Sequence, residues 1–162
     1  MKLMYRFFCQ LTVVLFVFTM LNGCVTNKPD LPEKKRTVLE LYLTAPEAVD
    51  FLKKQGKNAL FIDVRTPVEL NNGMPALADA HVPVIIKRDK TQVVVNNDFV
   101  NDIEDRLKEK GLDKQSPIVL ICHQGNRSAM ATNMLAKAGY KNVYHVIDGA
   151  IGWKKKQFAL GC

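Results

Sequence analysis

Residues 117–139 read PIVLICHQGNRSAMATNMLAKAG. The first six, Pro117 to Cys122, form the most apolar run of the chain outside its first 24 residues, the length and composition of a buried strand. Ser128 to Ala138 is rich in Ala, Met and Leu and stops at Gly139, the pattern of a helix with a glycine after its last turn. The connection between them is so short that it must turn sharply, with Gly125 free to take a positive φ. A strand running through a tight loop straight into a helix is the unit from which parallel sheets are built.

The same alternation continues on both sides. Ala59 to Val64 (ALFIDV) and Val82 to Ile86 read as buried parallel strands, and Asn142 to Ile147 as another. Thr44, Pro46 and Glu47 have the layout of a helix start: a hydroxyl cap, a proline that needs no donor, and a carboxylate that closes a capping box. Val49, Phe51 and Leu52 then make an apolar stripe that Gly56 closes. Asp98 to Lys110 sets Phe99, Val100, Ile103 and Leu107 on one face before Gly111, and Ala150 to Gln157 reads as a closing helix. The expectation is a single α/β domain: a parallel sheet with helices on both faces, beginning at residue 44 and running to 162. Ligands of such sheets bind beyond the carboxyl ends of the strands. Asp63-Val64-Arg65 and Cys122 both sit there.

The chain's 162 residues suit one domain, and an apolar fraction of 48% with 24% charged excludes global disorder. Four cysteines are too few and too scattered for a disulfide scaffold. The net charge is +7, yet the longest basic runs are the triplets Lys34-Lys35-Arg36 and Lys154-Lys155-Lys156, which gives no nucleic-acid footprint.

Residues 1–23 read as an address. Lys2 and Arg6 precede an apolar stretch from Phe7 to Leu21, and no acidic residue occurs before Asp30. The stretch is 15 residues, short of the roughly 20 that span a bilayer. The layout is that of a secretory signal. Leu21-Asn22-Gly23-Cys24 resembles a bacterial lipobox, which implies lipid on Cys24, loss of residues 1–23 and a mature charge lowered from +7 to +5 with Lys2 and Arg6 gone. Val25, rather than an aspartate, follows the cysteine; by resemblance to enteric sorting this points to the outer membrane, facing the periplasm. Residues 24–43 are then the lipidated end and a flexible tether, of which Val25 to Arg36 is polar with two prolines.

In the short loop after Cys122, successive N–H groups converge on the cysteine from a helix N-terminus, and Arg127 adds a full positive charge. A cysteine so placed is expected to be a reactive thiolate. His123, Gln124 and Asn126 face the mouth of the loop, placed to bind an oxyanion, and a neutral His123 makes that binding sensitive to pH. Asp63 and Arg65 orient the loop or pair with each other. His81 and His145 are fold residues, since no Cys or Asp at metal spacing accompanies them and no metal site is expected. Trp153, between Gly149 and Gly152 on one side and the basic triplet on the other, packs a terminal turn, and Cys162 has no assigned role.

The chain from about Thr44 to Lys156 resembles a rhodanese domain. The resemblance rests on Asp63-Val64-Arg65-Thr66-Pro67 with Glu69, on Cys122-His123-Gln124-Gly125-Asn126-Arg127-Ser128, and on Asp148-Gly149-Ala150-Ile151-Gly152-Trp153. One stretch departs from the usual pattern: where such modules commonly carry Gly-His-Ile-x-Gly-Ala, this chain has Gly73-Met74-Pro75 and continues to His81-Val82-Pro83. The resemblance implies a rhodanese-like fold and a sulfurtransferase that takes a sulfane sulfur from an anion such as thiosulfate, holds it as a Cys122 persulfide and passes it to cyanide or a thiol. It implies Gly125 and Arg127 in the binding loop, Asp63, Arg65 and Ser128 as support, a monomer, and no metal or organic cofactor. The four residues between Cys122 and Arg127 separate this loop from related phosphatase loops, which have one more. The alternatives are a sulfur carrier or sensor that does not turn over, and a phosphatase- or arsenate-reductase-like enzyme.

Overall fold

The computed structural model describes residues 30–158 together with 160 and 161. The leader, Cys9, the lipobox with Cys24, and Cys162 lie outside the described residues. Five strands form the central sheet: β1 (Tyr42–Leu43), β2 (Leu60–Asp63), β4 (Ala80–His81), β7 (Ile118–Ile121) and β8 (Val143–Val146), in the order β1-β8-β7-β2-β4. All neighbouring pairs are parallel. Two short antiparallel ribbons flank it, β3 (Met74–Pro75) with β9 (Leu160–Gly161) and β5 (Ile85–Arg88) with β6 (Val93–Val95).

Alternation along the central strands divides the core. Leu60, Ile62, Ile118, Leu120 and Cys122 point to the face covered by α2 (Phe99–Glu109) and α3 (Asn126–Lys137), where Phe99, Ile103, Leu107 and Leu135 meet them. Phe61, Val119 and Ile121 point to the opposite face, against α1 (Ala45–Gln55) and α4 (Gly149–Lys155). There Trp153 is 1% exposed and packs its ring 5.5 Å from Phe61 and 5.4 Å from Phe158. The expected α/β arrangement, a parallel sheet between two helical layers, is the one observed. The capping box of Thr44 and Glu47 also opens α1, and Gly56 closes it.

Three expectations need correction. The apolar run Val82 to Ile86 is not one buried parallel strand. The partner of β2 is Ala80–His81, in register Ile62↔Ala80 and Asp63↔His81. Pro83, which has no N–H for a ladder, ends the regular pairing. Val82 and Val84 stay in the core, but from Ile85 the chain turns out into the β5–β6 ribbon, where Ile86 is 49% and Val93 54% exposed. The second correction concerns the segment assigned to the tether. From Leu31 it is docked: Leu31 and Thr37 are buried, Glu33–Lys35 makes a 3-10 turn, and β1 closes the sheet edge against β8. Lys35 Nζ donates to the carbonyl of Ile147 at 2.7 Å. The polar composition of this stretch conceals how many of its partners are backbone groups at the free edge of β8. Third, α3 starts at Asn126 rather than Ser128, so Gly125 is itself the cap residue.

Candidate active site

Cys122 follows the last residue of β7 and is 1% exposed. Its Sγ accepts the N–H of Gly125 at 3.1 Å and lies 3.4 Å from the hydroxyl of Ser128. Gly125 reaches back because its φ is +96°, and no other residue fits: a Cβ there would stand 2.3 Å from the carbonyl oxygen of Ile147. Asn126, Arg127 and Ser128 open α3, so their N–H groups have no carbonyl a turn earlier in the helix. The underside of the loop is held by the start of α4, where the N–H of Ala150 donates to the carbonyl of Cys122 at 2.7 Å and that of Ile151 to His123 at 3.2 Å. Gly149 has a φ of +58°, and a Cβ would come within 2.6 Å of both carbonyl oxygens. The Asp148-Gly149-Ala150 turn is therefore the bed on which the loop lies.

Arg127 does not aim its charge at the sulfur alone. Its guanidinium holds Glu69 through two bonds, 2.5 Å to Oε2 and 2.7 Å to Oε1. Glu69 stands in the 3-10 segment Pro67–Asn72, where it also caps Thr66. Burial pushes the Glu69 carboxyl up, but the hydrogen bonds from Arg127 and Thr66, with the charge of Arg127, outweigh it and hold the pKa at about 2. The pair is ionised at any physiological pH, so the positive charge expected of Arg127 is present but offset by the Glu69 carboxylate. Arg127 ties the loop to the wall opposite. His123, exposed at the mouth, has Nδ1 4.0 Å from Glu69 Oε1. Gln124 and Asn126 are exposed as well.

Asp63 and Arg65 meet as a buried pair, with Arg65 Nη2 2.6 Å from Asp63 Oδ2. The same Nη2 donates to the carbonyl of Gly73 at 2.6 Å, and His81 Nε2 donates to the carbonyl of Arg65 at 2.8 Å. Their hydrogen bonds run to each other, to Glu69 and to Gly73 rather than to Cys122. They fix the segment that carries Glu69, and through it Arg127. Gly73, in the stretch that departs from the usual pattern, is thereby an acceptor for Arg65.

His145, expected only as a fold residue, lies one hydroxyl from the thiol. Its Nδ1 is 3.3 Å from Ser128 Oγ, and Nε2 is 3.0 Å from the carbonyl of Lys35. A carbonyl only accepts, so Nε2 carries the proton and Nδ1 faces the oxygen of the Ser128 hydroxyl, which itself donates to the carbonyl of Gly125 at 3.0 Å. Burial pushes the His145 pKa down to about 4, which keeps the ring neutral. A chain of contacts thus runs from Cys122 through Ser128 and His145 to the docked N-terminal segment. Glu69 has a local sequence signal, the capping box begun by Thr66. His145 has none, because its partners are 17 and 110 residues away. Among the described residues, no group of three or more His, Cys, Asp and Glu side chains is placed to hold a metal ion.

Residues 45–156 match the model of the rhodanese-like domain. The chain belongs to the rhodanese-like domain family. It is similar to a thiosulfate sulfurtransferase, GlpE, of Pseudomonas syringae, with 31% identity over 67% of this chain and 83% of that protein. Among solved structures it is similar to the polysulfide-sulfur transferase homodimer of Wolinella succinogenes, at 25% identity and a TM-score of 0.51 over 75% of this chain and 77% of that one. It is also similar to Rv0390 of M. tuberculosis, at 25% identity and a TM-score of 0.53 over 67% of this chain and 77% of that one. In this rhodanese-like domain Cys122 stands in the loop after the fourth strand of the chain to enter the central sheet, counting β1, β2, β4 and β7.

Proposed function

We propose that this protein is a sulfurtransferase that carries a sulfane sulfur on Cys122. The observation that carries the reading is the Gly125 N–H aimed at Cys122 Sγ from the base of α3. As a thiolate, Cys122 attacks the outer sulfur of a donor such as thiosulfate. A bond forms between Cys122 Sγ and that sulfur, the bond to the sulfonate sulfur breaks, and sulfite leaves with the electron pair. The resulting persulfide bears negative charge on its outer atom. The N–H groups of the loop, fixed before the reaction, stabilise that charge as an oxyanion hole does. An acceptor nucleophile, cyanide or a thiol, then takes the outer sulfur and returns Cys122 to thiolate. The sulfur is carried covalently, so the cycle calls for no metal or organic cofactor.

His123, Gln124 and Asn126 line the mouth and meet the donor. Arg127, locked to Glu69, sets the shape of the loop. We also infer that the domain works in a bacterial envelope, held through lipid on Cys24. The test of the sulfur reading is intact mass after thiosulfate treatment. The wild-type protein gains one sulfur atom, cyanide removes it, and Cys122→Ser gains none. A Cys122→Ser protein that still turns thiosulfate and cyanide into thiocyanate would sink the assignment.

A further inference from the structure

The two basic triplets lie 120 residues apart in the sequence, counting from Lys34 to Lys154. The fold brings them to one place. A cavity of about 670 Å³ is walled by Lys34 and Lys35 on the docked N-terminal segment, by Lys155 and Lys156 at the end of α4, and by Gln124 and Asn126 of the sulfur loop. Next to it a second cavity, of about 490 Å³, shares Lys34 and Asn126 and adds Arg36 and Lys137. Two acidic residues face this surface, Glu33 and Asp148. The Asp148 carboxylate is occupied with the N–H of Ala45 at 2.9 Å. Lys34, Lys155 and Lys156 are exposed, and among the described residues they make no ion pair.

We propose that this lysine-walled cavity is the binding site for the sulfur acceptor, and that the acceptor is a small thiol bearing several carboxylate or phosphate groups. The proposal rests on the sulfurtransferase reading and names the acceptor class for that same loop. Size supports it. Cavities of 300–1,000 Å³ suit ligands of drug size, far larger than thiosulfate or cyanide. Charge supports it too, since unpaired lysines in a concave wall attract a multivalent anion more strongly than the same charges spread on a convex surface. Position completes it: Gln124 and Asn126 belong both to the cavity and to the loop that follows Cys122, so a thiol anchored by its anionic end is held beside the loop that carries the persulfide. The thiolate attacks the outer sulfur, a new S–S bond forms on the acceptor, the bond to Cys122 Sγ breaks, and its electron pair stays on Cys122.

The experiment loads Cys122 with sulfur to completion, verified by mass, and then measures discharge by thiols of graded charge: cysteamine, 2-mercaptoethanol, mercaptosuccinate and coenzyme A. Corrected for thiol acidity, kcat/KM rises with negative charge. Mercaptosuccinate and coenzyme A separate carboxylate from phosphate recognition. In the triple variant Lys34→Ala, Lys155→Ala, Lys156→Ala, the two anionic thiols lose about tenfold, about 1.4 kcal/mol, while cyanide discharge changes less than about twofold, as expected when only exposed ion contacts of an anchoring group are lost. Equal losses for all four thiols, or none for the anionic pair, overturn the proposal. So does a variant that loses only its binding to phosphatidylglycerol vesicles, which makes the face a membrane contact. Failure to load sulfur counts against the sulfurtransferase reading instead. Calorimetry with inorganic pyrophosphate on the unloaded protein still reads the site in that case: wild type binds and the triple variant does so at least tenfold more weakly, whereas no binding to wild type overturns it.

Discussion

Gly125 does two things that no other residue type can do at that position. It turns the chain at a φ of +96° and passes 2.3 Å, measured from where a Cβ would sit, from the Ile147 carbonyl oxygen. Gly125→Ala is therefore expected to misplace the N–H that Cys122 Sγ accepts. Sulfur loading should fall by at least roughly tenfold, since one well-aimed donor is worth about 10²–10³ in rate, with a stability loss of about 1–3 kcal/mol from the strained backbone. Loading by thiosulfate, followed by mass, checks it; unchanged loading would mean that this N–H does not matter. His145 makes a different prediction. Its folded pKa of about 4 lies below the ordinary 6.5, because burial disfavours the charged ring. The unfolded chain thus takes up a proton first as pH falls. Stability is full above about 6.5, declines through the window and has lost about 3 kcal/mol once pH passes about 4. Glu69 loses its contribution at lower pH, between 4.5 and about 2. Asp148, whose carboxyl burial raises, acts in the opposite sense. Urea midpoints between pH 7 and 4 should slope for wild type and flatten for His145→Gln; equal slopes would place the titration elsewhere. Cys122, its loop and Gly125 are legible in the sequence because their spacing is local. The Arg127 to Glu69 lock is not, since it joins residues 58 apart across the mouth.

The elements most legible in the sequence are those whose stop signals are chemical. Thr44 with Glu47 opens α1, Gly111 follows α2, and Gly139 follows α3. What escapes is decided by partners far away in the chain. Val82 to Ile86 has the composition of a core strand, but Pro83 breaks the ladder and the ribbon carries Ile86 into solvent. The segment 31–43 has the composition of a linker, yet it supplies β1, a buried Leu31 and the carbonyl that receives His145. A chain beginning at residue 44 should therefore be less stable than one beginning at 30 by at least about 3 kcal/mol, combining a lost core side chain with an orphaned buried donor. Its sulfur loading should slow as His145, beside Ser128, loses the carbonyl that holds it. Denaturant midpoints of the two chains decide the matter. Equal stability would return residues 31–43 to the role of a tether.

At the scale of the whole molecule, docking of the N-terminal segment shortens the leash. If lipid sits on Cys24 as proposed, residues 25–30 separate it from Leu31, the first buried side chain among the described residues. A fully extended chain spans at most about 3.3–3.6 Å per residue, so the domain is held within roughly 20 Å of the bilayer. The sequence reading, with a tether running to residue 36 or beyond, allows about twice that. The anchoring itself is tested by phase partition in a detergent that clouds on warming, together with metabolic labelling by an alkyne fatty acid. Wild type should take up label and enter the detergent phase. Cys24→Ala should carry no label; if it is still exported, it should stay in the aqueous phase or retain its uncleaved leader. Because Cys122 lies in a separate folded domain, purified Cys24→Ala should load sulfur as wild type does, which separates the anchor from the chemistry. A wild-type protein found unlabelled and soluble in the periplasm would remove the lipid, and with it the short leash, while leaving the sulfur chemistry of Cys122 untouched.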